Sequence, residues 1–130
     1  MKKIPFILIP LLCLLWITGC RSRGGDPEKV AWGFLHAYYT NDYAGALSYA
    51  DPQTKADLES TLEQMREAGI TAEDMRAAAR PVIIEVEGII ANDGYRAVCA
   101  YKLKNSPDDY SALMETLLLT KTDDGWKVTF

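Results

Sequence analysis

Hydrophobic and polar positions follow two different periods along the chain. Between residues 27 and 79, apolar residues recur three or four positions apart, as Val30, Phe34 and Tyr38 do, and this spacing predicts helices. From residue 82 onward apolar residues recur at every second position, as Val82, Ile84 and Val86 do, which predicts strands. Helices followed by an antiparallel meander are typical of an α+β fold, so we expect the helices to pack on one face of the sheet.

The helices are marked by their ends as well as by their period. Asp is a strong N-cap and Pro fits the first turn, so Asp26-Pro27 predicts a first helix that ends near Asn41. A short second helix is predicted over residues 43–50. The third begins at the Asp51-Pro52 pair and ends before Gly69, and the fourth runs from a Thr71 cap to about Ala79, before Pro81.

The strands are separated by turn residues. Asp-Gly pairs at residues 93–94 and 124–125 favour tight turns, and residues 105–109 (NSPDD) predict a loop. In the second strand, Ala97, Cys99 and Tyr101 share the face expected to be buried. The pattern predicts a sheet of about four strands, over residues 82–87, 95–104, 114–121 and 126–130.

Residues 1–26 do not share this pattern. Two lysines are followed by an uncharged stretch, Ile4–Thr18, of about 15 residues, which is shorter than the roughly 20 that span a bilayer and contains two prolines. These features predict a secretory signal peptide over residues 1–19. The stretch ends in Ile17-Thr18-Gly19-Cys20, which resembles the lipobox of bacterial lipoproteins. The alternative is a cysteine that happens to end an ordinary signal peptide.

The lipobox resemblance implies a membrane anchor. It implies cleavage before Cys20, attachment of a diacylglycerol to the Cys20 thiol and acylation of the new amine, with residues 20–26 as a tether to a domain over 27–130. More than one acyl chain makes such an anchor stable. In some bacteria an Asp after the lipidated cysteine retains the protein at the inner membrane; here Arg21 follows. The expectation is therefore an outer-membrane protein of the cell envelope that faces the periplasm.

Charge and cysteine content limit which partners and which stabilising bonds are expected. Without Lys2 and Lys3 the chain keeps 12 basic and 18 acidic residues, a net charge of −6, which argues against nucleic acid as a partner. Of three cysteines, Cys13 falls in the signal peptide and Cys20 is the predicted lipidation site. Because only Cys99 is left, no disulfide within the domain is expected and the hydrophobic core must stabilise the fold.

Two segments carry a family resemblance. The opening "PEKVAWGFLHAYYTNDYAGALSYADPQTK" and the closing "METLLLTKTDDGWKVTF" resemble the first helices and the terminal hairpin of nuclear-transport-factor-2-like (cystatin-like) domains. Together with the lipobox, the chain is similar to the small bacterial lipoproteins of the domain of unknown function 4878 group, over roughly residues 27–130. The resemblance implies a curved sheet wrapped by helices into a cone, often with an internal pocket. That fold hosts isomerases, dehydratases and binding modules alike.

The candidate pocket residues are aromatic. If Trp32, Tyr38 and Tyr101 lined one cavity, they could hold a flat apolar ligand, with the phenols as hydrogen-bond donors. The alternative is that these residues are part of the core. His36, the single histidine, is expected to be a partly exposed helix residue, and Cys99 a small buried hydrophobe. The single histidine also argues against a His-based zinc site, which needs several nitrogen or sulfur ligands.

The acidic residues give little support to catalysis. Glu85 and Glu87 alternate with the apolar positions of the first strand and are expected to point away from the core, while other acids fall in turns. A catalytic carboxyl with a raised pKa needs burial. The sequence therefore favours a non-catalytic domain, without cofactor or metal, that binds a small apolar ligand, a peptide or a partner protein. The alternative is a cofactor-free isomerase or dehydratase that uses a cavity acid, and a homodimer through the open sheet face is a third possibility.

Overall fold

A computed structural model describes residues 25–130. The predicted signal peptide, the predicted lipidation site Cys20 and the predicted tether up to residue 24 lie outside the described residues. The helices are α1 (Pro27–Tyr39), α2 (Tyr43–Ala46, continued by a 3-10 turn over Leu47–Tyr49), α3 (Pro52–Glu67) and α4 (Ala72–Ala78). The strands are β1 (Ile83–Asn92), β2 (Arg96–Lys104), β3 (Met114–Thr122) and β4 (Gly125–Thr129). The fold is α+β, as the change of period predicts.

The predicted N-cap residues Asp26, Asp51 and Thr71 cap the first turns of α1, α3 and α4. The Asp26 carboxylate accepts from the Glu28 N–H at 3.0 Å, and the Asp51 carboxylate accepts from the Thr54 N–H at 2.8 Å. Thr71 begins α4 with a capping box, because its hydroxyl and the Asp74 carboxylate each bond the other residue's backbone N–H. These bonds satisfy N–H groups that have no partner within the helix.

The first helix ends close to the predicted position, whereas the second ends earlier than predicted. The first helix ends at Tyr39 because Asn41 takes a left-handed backbone with φ 59°, which Asn tolerates better than most residues. The second helix tightens into a 3-10 turn after Ala46, because Ala50 has extended backbone and forms a parallel bridge with Val128 of β4. The second helix therefore ends early because Ala50 pairs with the sheet.

The four strands form one antiparallel sheet in the order β1-β2-β3-β4. At its centre Cys99 is paired with Ile89 on one side and with Leu117 on the other. β1 extends to Asn92, beyond the predicted residue 87, and its register shifts between Val86 and Gly88 and again between Ile89 and Ala91. Each shift breaks the alternation of period two, and this explains why the predicted strand is shorter than the observed one.

The core lies between α1 and the inner face of the sheet. Its largest fully buried side chains are those of Phe34 and Leu35 from α1 and of Cys99, Leu119 and Val128 from the sheet. Ala31, at 0% exposure, lets the helix backbone approach the strands closely. The inner face is therefore filled by side chains from both layers. Within residues 25–130, no helix is long and apolar enough to cross a membrane.

Candidate functional site

Aromatic side chains gather where the C-terminal half of α1 meets the sheet. Phe34 and Tyr38 lie four residues apart on one face of the helix and stack, with ring centroids 5.6 Å apart. Phe130 contacts both rings, at 5.4 Å from Phe34 and 4.8 Å from Tyr38. Phe34 is fully buried, whereas Phe130 is 56% exposed, so the group leads from the core to the surface. We call it the aromatic cluster; its members are Phe34, Tyr38, Tyr39, Tyr43, Tyr101 and Phe130.

Two of the three predicted pocket residues meet in this cluster. Tyr39 lies between them, 5.2 Å from Tyr38 and 6.5 Å from Tyr101 between ring centroids, and its hydroxyl is 3.4 Å from that of Tyr101. Trp32 is elsewhere: it is 54% exposed and stacks on His36 at 3.8 Å. The reason is helical geometry, since Trp32 precedes Phe34 by two positions and so lies about 200° away around α1.

Burial controls the ionisation of the phenols and the thiol. It raises the pKa of Tyr101, and the nearby Tyr39 and Glu115 raise it further. Burial also raises the pKa of Tyr38. The pKa of the Cys99 thiol is raised by burial and then by the charge of Glu28. Near neutral pH the two phenols are thus uncharged hydrogen-bonding groups, and Cys99 stays a thiol rather than a reactive thiolate.

The carboxyl groups whose pKa is shifted all shift downward. The hydrogen bond from Lys104 lowers the pKa of Glu85, and a lysine of the same strand, Lys102, pairs with Glu87 at 3.7 Å. Both pairs lie on the outer face of the sheet, as the sequence predicts for the two glutamates. The same direction holds for the acids that cap helices or turns, which are Asp51, Asp74, Asp93 and Asp109. These groups favour the carboxylate form and do not suit a general acid.

A cleft of about 290 Å³ opens beside the aromatic cluster, between the end of α1 and the connection from α4 to β1. Tyr39 belongs to both features. The polar lining of the cleft comes from His36, Thr40, Arg76 and Arg80, and its apolar lining from Tyr39, Ala79, Pro81, Val82 and Ile84. We call this feature the arginine cleft. Sequence reasoning missed it; the available signal was a pair of arginines four residues apart, just before a proline.

His36 has a fixed orientation at the edge of this cleft. Its Nδ1 is 2.8 Å from the Trp32 carbonyl oxygen, which can only accept, so Nδ1 carries the proton and donates it. The Trp32 ring stacks on the imidazole and holds it in place. In the neutral form Nε2 is therefore the acceptor nitrogen. His36 is partly buried, as expected from the sequence.

Metal ligands do not come together in the part of the chain that the structure describes: residues 25–130 contain no group of three His, Cys, Asp or Glu side chains suited to a metal ion. The described residues form an aromatic cluster that reaches the surface at Phe130, next to a small cleft that carries two guanidinium groups. Comparisons of the chain with protein-family models, with curated proteins and with solved structures return no match.

Proposed function

We propose that this protein is a lipid-anchored component of the bacterial cell envelope whose folded domain binds a ligand or partner and does not catalyse a reaction. The anchor is Cys20, and the domain is tethered by residues 20–26, at the outer membrane and facing the periplasm. The charged start, the uncharged stretch and the Ile17–Cys20 lipobox support this part of the proposal. The net charge of −6 that remains after removal of the signal peptide disfavours nucleic acid as a partner of the domain.

The domain is further proposed to be nuclear-transport-factor-2-like. Support comes from the element order, in which the helices precede a four-stranded antiparallel meander. The two register shifts in β1 and the positive φ of 127° at Gly88 bend that strand, as a sheet that curves around a helix requires. Function does not follow from such a fold, so the binding role has to be argued from the side chains.

The observation that carries the binding role is the contrast between a filled interior and the exposed ring of Phe130 at the edge of the aromatic cluster. Phe34, Leu119 and Val128 are fully buried, whereas Phe130, whose ring contacts that of Phe34, is 56% exposed. A cavity enzyme of the isomerase type would place a carboxyl with a raised pKa among these rings. The described carboxyls with shifted pKa values instead lie on caps, turns and the outer sheet face. The aromatic cluster is therefore assigned as an apolar contact surface.

Metabolic labelling tests the anchor. Cells that express the full chain are fed radioactive palmitate, and the membrane fraction is collected. The wild-type protein is expected to carry label and to sediment with membranes, the Cys20→Ser variant to lose both properties, and the matched Cys99→Ser variant to keep them. Unlabelled wild type, or a Cys20→Ser variant that is processed and fractionates like wild type, would contradict the proposal.

A second candidate role is self-association through the outer face of the sheet. Three large apolar side chains are exposed there or at its edge: Ile90 at 63%, Met114 at 53% and Leu118 at 39%. Single exposed apolar residues are common, but a group of them on an unpartnered sheet face fits a protein interface. Sedimentation velocity of the full chain in detergent should then show a dimer that the Leu118→Lys variant dissociates; a monomer at high micromolar concentration would rule this role out.

A further inference from the structure

The arginine cleft brings together two guanidinium groups that the described carboxylates leave unpaired. Arg66, on α3, is neutralised by Glu63 at 2.5 Å, and Lys102 by Glu87 at 3.7 Å. Arg76 and Arg80 form no ion pair with any described carboxylate, and none of the described residues that line the cleft is acidic. Asp74, the acid nearest to Arg76 in sequence, is engaged in the capping box of α4. Two guanidinium groups thus share one cleft, and no carboxylate of residues 25–130 neutralises them.

The rest of the cleft wall is largely apolar. Tyr39 contributes an aromatic ring, and Pro81, Val82 and Ile84 contribute aliphatic surface at the start of β1. An inorganic anion would pair with the arginines but would leave this wall in water. A planar carboxylate matches a guanidinium through two parallel hydrogen bonds, and an apolar body attached to it would cover the wall.

We propose that the arginine cleft binds a small organic acid, a single carboxylate attached to a flat apolar body, with Arg76 and Arg80 on the carboxylate and Tyr39 and Ile84 against the body. The volume of about 290 Å³ is at the lower limit for ligand pockets, which suits an acid with one ring. His36 and Thr40 complete the polar rim. The inference names a ligand class for the binding role proposed above and rests on that role.

Nuclear magnetic resonance titration of the full chain in detergent micelles provides the test. The probe is trans-cinnamate, which is an apolar ring with a carboxylate; the comparison compounds are cinnamyl alcohol, which lacks the charge, and inorganic phosphate, which lacks the ring. We expect cinnamate to shift the backbone amide resonances of Thr40 and Arg80 in a saturable manner. The two comparison compounds should bind at least about tenfold more weakly, since each loses one half of the contacts.

Matched variants locate the site. Arg76→Gln and Arg80→Gln should each weaken cinnamate binding by about tenfold, the effect of one lost charge-assisted contact, whereas Arg66→Gln removes the same charge from α3 and should change nothing. Equal binding of cinnamate and cinnamyl alcohol, equal binding of phosphate, an equal effect of Arg66→Gln, or no saturable shift would each overturn the inference. The titration does not depend on lipidation, so its failure is distinguishable from failure of the membrane anchor, which the palmitate experiment reports.

Discussion

Two regions of the molecule differ in how many of their side chains are buried in the core. Where α1 packs on β2, β3 and β4, the side chains of Phe34, Leu119 and Val128 are completely buried and a cap network joins α3 to the last strand. Where α4 leads into β1, the helix buries only Met75, and a side-chain bond from Asn41 Nδ2 to the Met75 carbonyl oxygen, at 2.9 Å, ties it to the connection that follows α1. The first region stabilises the domain, and the second forms one wall of the arginine cleft.

This contrast explains why the candidate site lies where it does. A wall that carries little of the core can change its side chains or its position without unfolding the protein, and binding elements are commonly drawn from such less stable segments. The core region, in contrast, is rigid and supports the aromatic cluster. Variants in the two regions should therefore separate stability from binding, and the following predictions run from the largest expected effect on stability to the smallest.

The sharpest contrast is between two adjacent leucines of β3. Leu119 is fully buried and Leu118 is 39% exposed on the other face. Leu119→Ala leaves a cavity in the core and should lower the free energy of unfolding by about 2 to 5 kcal/mol. Leu118→Ala removes the same atoms and should cost about 1 kcal/mol or less. Urea denaturation of both variants measures the difference, and equal losses would mean that the inner face is not the core.

The cap network of the stable region comes next. Asp51 accepts from the Thr54 N–H at 2.8 Å and from the Thr129 hydroxyl at 2.7 Å, so one carboxylate joins α3 to β4. Asp51→Ala should lower the free energy of unfolding by about 1 to 2 kcal/mol. Asp57→Ala, on the exposed side of the same helix, is the control and should have little effect.

The same residue sets a pH dependence with a defined sign. Burial opposes ionisation of Asp51, but the hydrogen bonds from Thr54 and Thr129 outweigh it and lower the pKa below the ordinary 3.8. A lowered pKa in the folded state gives stability that is present above the unfolded pKa and is lost as pH falls through the folded one. Denaturation of wild type and Asp51→Asn should therefore differ near pH 6 and converge at more acidic pH; a constant difference would contradict the assignment.

The α4 corner should respond locally. Asn41 holds a left-handed backbone and donates to Met75, so Asn41→Gly loses only the side-chain bond, at a cost of about 1 kcal/mol. Asn41→Ala loses the bond and also strains the backbone, for about 1 kcal/mol more. Amide hydrogen exchange should show faster exchange in α4 than in β3 for both variants. If β3 amides accelerate equally, α4 belongs to the cooperative core and the contrast drawn above is wrong.

The arginines should matter least for stability. Arg76 and Arg80 are exposed and unpaired with any described carboxylate, so Arg80→Gln should leave the free energy of unfolding within about 0.5 kcal/mol of wild type. The same variant is the one expected to weaken cinnamate binding. A large loss of stability would mean that Arg80 supports the fold instead of a ligand.

The division between the two regions also marks what the sequence could predict. Element order, the caps at Asp26, Asp51 and Thr71 and the buried face of β2 follow from local rules, because each depends on residues close in sequence. The prediction ended β1 at residue 87, five residues short of Asn92, because bulges at Gly88 and beyond disrupt the alternation. The early end of α2 depends on pairing with β4, a contact across more than seventy residues.

The candidate site could be predicted only in part from the sequence, for the same reason. Tyr38 and Tyr101 were identified as aromatic candidates, and the structure links them through Tyr39. Trp32 lies away from Phe34 and Tyr38, and the helical period of the sequence is enough to indicate this, since Trp32 precedes Phe34 by two positions. The arginine cleft went unnoticed because α1 and the α4–β1 connection meet only in the folded chain.

One measurement addresses both halves of the proposed function directly: native mass spectrometry of the protein extracted gently from its own membranes. The account predicts a chain that begins at Cys20, carries the covalent mass of acyl chains, and holds a small acid that dissociates on collisional activation and is depleted in the Arg80→Gln variant. A chain that retains its signal peptide, or one with an unmodified Cys20 and no bound species, would contradict the account.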